Sequence, residues 1–539
     1  MATNLLIIAV IIIMCVAFNK ITSKLGIPML LIFILLGMVF GSDGLFKIYF
    51  DNYALAQEIC TVALIFIMFY GGFGTKWSTA RPVAIKASLL STLGVILTAG
   101  LVGVFCRFAL GLAWIESFLL GSVISSTDAA SVFTILRSKR LNLKYHLASL
   151  LEMESGSNDP CSYMLTTILL SIAGDAVDGK KIVLLAFSQV VYGVVCGVLI
   201  ALISYQLLRR FQSSSAGFDS AFVLAIALLS YAIPSELGGN GYLSAYIVGI
   251  LLGNQPIQNK PSLVHFFDGF TSLMQILIFF LLGLLSYPSQ LPQIALSALA
   301  IALFLTFLAR PAAIFLLLTP FRVDYRAQLL VAWAGLRGAA SIVFAIMTIL
   351  SPVYAKSNIF PIVLFIVLFS ILLQGTLLPY VARRLDMIDD NTDVLKTFND
   401  YTDELPIRFI QFSIKPDHPW VGKKVRDLIL PPDTILVSRQ RDGKTEIPNG
   451  KTTISIGDTF ILSAIASNME SNDILLSESQ ITSESEWLNR ELSEISLEKG
   501  QMIFLIRRGN RIVIPSGKTR IHVDDILVMN RGPWPTSRV

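Results

Sequence analysis

Five charged side chains interrupt long apolar runs in the first 385 residues: Asp128, Glu152, Glu154, Asp159 and Arg337. A charge inside hydrocarbon is costly unless it is paired or hydrated, so each is a functional candidate by position alone. Glu58, Glu116, Asp268 and Arg310 fall nearer the ends of such runs, where a snorkelling or interfacial place is expected.

The acids sit in distinctive company. Ser125-Ser126-Thr127-Asp128-Ala129-Ala130-Ser131 surrounds one carboxylate with small hydroxyl side chains. These compete for backbone hydrogen bonds, so the segment is expected to unwind locally and to offer carbonyl oxygens and half-helix ends to an ion. In Glu154-Ser155-Gly156-Ser157-Asn158-Asp159-Pro160, helical spacing stacks Ser155 with Asp159 on one face and Glu154 with Asn158 on the adjacent one. A carboxylate flanked by hydroxyl and amide oxygens suits an alkali cation or a proton. Its structural alternative is Asp159 as the cap of a helix that begins at Pro160.

A third motif, Gly335-Leu336-Arg337-Gly338-Ala339-Ala340-Ser341, aligns with the first at the Ala-Ala-Ser step. Arg337 needs a buried acid, which Glu154 or Asp128 can supply, and the pair reads as structural rather than as an ion ligand.

The elements that must hold these groups are membrane helices. Of 539 residues, 54% are hydrophobic and 15% charged, against roughly 25% charged in soluble domains. Residues 1–385 hold 23 Lys and Arg against 14 Asp and Glu, and residues 386–539 hold 19 against 23. The first part suits hydrocarbon and the second suits water, so the net charge of +5 averages two materials and does not point to nucleic acid. Segments able to span the bilayer occur near 4–18, 26–41, 55–73, 86–106, 112–136, 148–173, 182–208, 219–235, 241–253, 266–286, 291–319, 327–350 and 358–382. About thirteen helices are expected. Alternate loops carry 16 Lys and Arg, from Lys20 and Lys24 to Arg383 and Arg384, and the others carry 5. This places the tail in the cytoplasm and the N-terminus outside. The helices at 112–136 and 327–350 should then run oppositely, as members of an inverted repeat whose interrupted helices cross. The five cysteines stand singly in apolar stretches and read as core residues.

The tail repeats itself. The stretch from Trp420 matches the stretch from Trp487 at a constant offset of 67 residues, pairing Pro448 with Pro515, Gly450 with Gly517 and Asp458 with Asp525. Each copy reads as a short helix followed by alternating strands, giving two small α+β units in tandem. Residues 466–486, rich in Ser and Glu, read as a linker.

At TDAASVF, ESGSNDP and GLRGAAS the sequence resembles the monovalent cation:proton antiporters of the NhaP type over residues 1–385. Residues 402–466 resemble a regulatory RCK C-terminal (TrkA-C) domain, with 484–539 a divergent second copy. The resemblance implies an all-α polytopic domain with inverted repeats and crossed helices, followed by a tandem α+β regulatory region. The protein would be a secondary transporter in the inner membrane rather than an enzyme, and a homodimer. Asp159 would bind either cation or proton, Asn158, Ser155, Thr127 and Asp128 would add oxygens, and Glu154 with Arg337 would form the buried ion pair. Asn158 implies electroneutral exchange. Tyr70 departs from relatives that carry an acid there. No cofactor is expected, although the tail could take a nucleotide, a cyclic dinucleotide or an ion. Potassium is favoured over sodium through the tail. Rival readings are a tail-gated cation channel, disfavoured by the absence of a TVGYG-like filter, and a ligand-sensing receptor, which leaves Asp128 and Asp159 without a purpose.

Overall fold

The structure is a computed structural model and describes residues 9–17, 29–139, 141–174, 179–210, 216–257, 260–354, 358–389, 407–416, 418–431, 434–441, 444–465, 476–482, 485–495, 497, 502–508, 511–513 and 515–530. Lys20, Lys24, Arg140 and Lys356 lie outside these residues, as does part of the first expected span. The chain forms two compact units, Met1–Asp403 and Glu404–Val539.

The first unit is helical. Among the described residues, seven helices are long and apolar enough to cross a membrane, fewer than the thirteen expected spans. The difference has local causes. Two spans are broken: 112–136 into α2 (Trp114–Val123) and α3 (Ala129–Ser138), and 327–350 into α8 (Tyr325–Trp333) and α9 (Ala339–Leu350). The helix α4 (Leu147–Gly174) is continuous and long, but Glu152, Glu154 and Asp159 keep its hydropathy low. Around these lie α1 (Tyr53–Gly74), α5 (Gly241–Gly253), α6 (Lys260–Leu284) and α7 (Arg310–Leu318). The last follows a π-turn at Leu305–Ala309 inside a 34-residue apolar stretch, Pro288–Phe321. Backbones approach closely where small residues permit it. At Gly249 on α5, a Cβ would sit 2.2 Å from the Phe69 carbonyl of α1. Polar side chains of the broken helices are therefore fixed by a packed apolar frame that includes Leu64, Phe279 and Phe344.

The second unit holds two four-stranded antiparallel sheets. One contains β1 (Ile407–Ser413), β2 (Thr434–Arg441), β3 (Lys444–Glu446) and β4 (Thr459–Ile465), in the order β1-β4-β2-β3. The other contains β5 (Leu476–Gln480), β6 (Ile503–Arg508), β7 (Arg511–Val513) and β8 (Ile526–Asn530), in the order β5-β8-β6-β7. The 67-residue offset holds down to irregularities: the bulge at Leu436/Ser438 recurs at Ile503/Leu505. The expected linker contributes β5, which pairs with β8. Its Ser and Glu content is that of a solvated edge strand, and composition alone does not separate the two.

Candidate functional site

The two breaks cross. After α2 the backbone from Ser125 to Asp128 leaves the helical path, and after α8 so does Gly335 to Gly338. They meet where the Asp128 N–H donates to the Leu336 carbonyl at 2.8 Å. The Asp128 carboxylate caps α3, accepting from the Ser131 N–H at 3.2 Å and the Ser131 hydroxyl at 2.5 Å. It also occupies the space beside the start of α9: a Cβ on Gly338 would lie 2.2 Å from Asp128 Oδ2. One acid thus serves the positive ends of two half-helices, and Gly338 is glycine because the carboxylate fills its side-chain position.

Arg337 complements the opposite pole. Its Nη1 donates to the carbonyls of Ser125 at 2.8 Å and Ser126 at 2.6 Å, beyond the C-terminal end of α2. The expected pair of Arg337 with Glu154 is not formed. Glu154 instead pairs with Arg310 of α7, and all three groups are at most 2% exposed. Both the Glu154–Arg337 pairing and the interfacial reading of Arg310 are corrected by packing. The π-turn and α7 carry Arg310 into the core beside α4, while Arg337 finds its acceptors in unpaired carbonyls that only a broken helix supplies. Arg310 stood out in the sequence as a charge near a segment end, and nothing there located its partner.

The helix α4 lays three polar side chains against the first break. Ser155 donates to the Thr127 carbonyl at 2.7 Å and accepts from the Ala129 N–H at 2.8 Å, bridging the gap. Asn158 Nδ2 donates to the Thr127 hydroxyl at 2.5 Å, and Asn158 Oδ1 has no hydrogen-bond partner among the described residues. Asp159 accepts from the Ser126 hydroxyl. Ser126 was part of the hydroxyl run but was not singled out as a ligand. Asp159 does not cap a helix starting at Pro160, because α4 continues through that proline. Pro160 lacks the N–H that would bond the Gly156 carbonyl one turn back, so this oxygen loses its helical partner. Asn240 supports the Pro160 carbonyl at 2.8 Å.

Ser126, Thr127, Asp128, Ser155, Gly156 and Asp159 line one cavity of about 390 Å³. Thr134 on α3 and Glu152 on α4 also line it. This directs the cavity toward the helix ends near Leu143, which bridges Ile388 where the chain leaves the helices. In the other direction the way is filled. Tyr163, one turn beyond Asp159, packs edge-on against Tyr242 at 5.0 Å and against Phe344 at 5.8 Å, and Tyr242 and Phe344 are at most 2% exposed. Asp159 thus lines the cavity, and this aromatic cluster follows it one turn further along α4.

The family description "Sodium/hydrogen exchanger, transmembrane" matches residues 7–384, and that of the TrkA-C domain matches 409–471 and 476–529. The chain belongs to the sodium/hydrogen exchanger family. It is 34% identical over 463 residues to the K(+)/H(+) antiporter NhaP of Alkalimonas amylolytica, covering 85% of this chain and 80% of that one. It is 33% identical over 486 residues to the K(+)/H(+) antiporter NhaP2 of Shewanella sp. (strain MR-4), covering 87% and 82%. The sodium proton antiporter MjNhaP1 from Methanocaldococcus jannaschii superposes with a TM-score of 0.61 at 23% identity, over 68% of this chain and 97% of that one. That likeness shows the fold. These relatives are antiporters and not enzymes, and this exchanger is a multi-pass membrane protein.

Proposed function

We propose that residues 1–385 exchange one monovalent cation for one proton at Asp159, with potassium as the preferred cation and sodium the alternative. The observation that carries the reading is Asp159 on the wall of a cavity, bonded to a single hydroxyl and, among the described residues, to no cationic side chain. A carboxylate that must shed its proton to accept a cation couples the two ions by competition. Ser126, the Thr127 hydroxyl, Asn158 Oδ1 and Asp128 add oxygens, while Ser155 holds the break open. Asp159 alternates between one bound proton and one bound monovalent cation while Glu154 stays paired with Arg310 and the other charges stay as they are, so no net charge moves in a cycle. Exchange is therefore electroneutral.

Alternation requires the Tyr163–Tyr242–Phe344 contact to part while the cavity closes. The two breaks support an inverted repeat within about thirteen helices. The Lys and Arg bias puts the N-terminus outside and the cavity mouth, with the tail, on the cytoplasmic side of the inner membrane. Residues 402–466 and 484–539 are the regulatory units. They take a nucleotide, a cyclic dinucleotide or an ion and bias the exchanger, which works as a homodimer. The preference for potassium rests on the names of the relatives and on the TrkA-C match. The test is proton flux in proteoliposomes under imposed potassium or sodium gradients. Cation-dependent flux with the purified chain is expected, and its absence under both gradients overturns the reading.

A further inference from the structure

The cavity that reaches Asp159 is lined by two polar stripes, and the exchange reading uses only one. On α4 the lining residues are Glu152, Ser155, Gly156 and Asp159; on α6 they are Asp268, Thr271, Ser272 and Gln275. Both sets have the spacing i, i+3, i+4, i+7, which places each on one helix face. Each begins with a carboxylate.

Asp268 is the ninth residue of a 25-residue apolar helix that crosses the membrane. At 1.5 Å per residue it lies roughly 12 Å along that helix. Asp268 and Ser272 are nonetheless exposed. The sequence places Asp268 near the end of this span, and the structure puts it on the wall of the cavity that also holds Asp159, so its carboxylate faces the cavity. Tyr70 of α1 lies beside it, its hydroxyl 3.5 Å from Asp268 Oδ1 and 3.4 Å from the Val264 carbonyl. Thr271 spends its hydroxyl proton on the Phe267 carbonyl at 2.7 Å, which leaves the oxygen's lone pairs as its remaining capacity.

We propose that the α6 stripe forms the entry half of the cation's route: Asp268 draws the cation out of bulk water, and Thr271, Ser272 and Gln275 pass it toward Asp159. The inference rests on the exchange reading. Asp268 is a positioning residue in this scheme, because it raises the local cation concentration without taking part in the competition between ion and proton. A carboxylate in a narrow, low-dielectric vestibule acts by focusing, and that action is screened by salt.

The experiment measures the cation KM and the maximal rate of exchange in proteoliposomes for the full chain, Asp268→Asn and Asp268→Glu. Each is measured at low ionic strength and again with impermeant choline chloride raised to about 0.5 M, where the Debye length falls to a few ångströms. For Asp268→Asn the expected result is a KM raised about tenfold at low ionic strength, a retained maximal rate, and a defect that shrinks as choline is added. Asp268→Glu should restore the low KM. A KM equal to wild type at both ionic strengths overturns the proposal. So does a lost maximal rate with unchanged KM, which marks a structural role. If wild type itself shows no exchange, the exchange reading fails instead, so the two failures are distinct.

Discussion

Two regions of this chain bury a carboxylate, and they treat it in opposite ways. In the tail, Asp458 is fully buried and accepts from Arg441 Nη2 at 2.6 Å and from the Ser455 N–H at 2.9 Å. Its counterpart 67 residues on, Asp525, accepts from Arg508 Nε and Nη2, both at 2.8 Å, and from the His522 N–H at 2.8 Å. In the membrane unit, Asp159 is 5% exposed and takes one hydroxyl, with no guanidinium in contact among the described residues. A carboxylate whose lone pairs and charge are both satisfied is a clip, and one left short of partners beside a cavity is available for exchange. Burial alone does not separate structural from functional acids. A guanidinium partner does: Glu154, Asp458 and Asp525 each have one.

The comparison breaks most readily at Asp159. Asp159→Asn should fold and insert yet lose cation-dependent proton flux by at least about 100-fold, since the amide cannot carry the competing proton. Near-normal flux in proteoliposomes would remove Asp159 from the mechanism.

Next in size is the ion-paired acid of the membrane unit, Glu154. Arg310→Ala strands Glu154 in the core at a cost of about 3–5 kcal/mol, so expression and thermal stability should fall sharply. Arg337→Ala leaves carbonyls rather than a carboxylate unpaired and should cost less, about 1–3 kcal/mol. Melting curves of the two detergent-purified variants check this ordering, and the reverse order would return Glu154 to Arg337.

The tail clips should give a smaller and purely local effect. Asp525→Asn is expected to destabilise its sheet by about 1.5–3 kcal/mol while leaving exchange intact. Burial opposes the Asp458 and Asp525 charges, but the Arg441 and Arg508 hydrogen bonds and the adjacent N–H groups outweigh it and hold both carboxyls below their usual range. A depressed folded value makes this stabilisation complete above the ordinary Asp value and progressively lost as pH falls through the folded one. The tail should therefore loosen below roughly pH 4. Hydrogen exchange across β6–β8 at graded pH measures it, and wild-type-like protection in Asp525→Asn would deny the clip its role.

The smallest expected effect is that of voltage. With the Asp159 charge neutralised alternately by a cation and a proton, no net charge moves per cycle. Clamping the membrane potential over 100 mV should leave the rate unchanged, where one moved charge would be worth about 2.3 kcal/mol. A steep dependence would show a second titrating group, with Asp128 the first suspect.

Much of this was legible in the sequence because it is local. Hydroxyl residues around Asp128 weaken a helix wherever they stand, and the broken path at Ser125–Asp128 follows from their types. Helical spacing put Ser155 and Asp159 on one face of α4, and both meet the first break. The tail repeat foretold two sheets of one topology, although the Ser and Glu content of 476–480 concealed a strand.

What the tertiary structure alone decided is the set of pairings between distant segments. Glu154 and Arg310 are 156 residues apart, and no periodicity brings them together. Arg337 was free to choose carbonyls because the break after α2 exposed those of Ser125 and Ser126, and Asp268 joined the Asp159 cavity because α6 packs beside α1. Spacing along the chain fixes which side chains share a face of one helix. Which faces then meet is set by the packing of whole helices, whose energy is spread over apolar side chains that carry no mark of their partners.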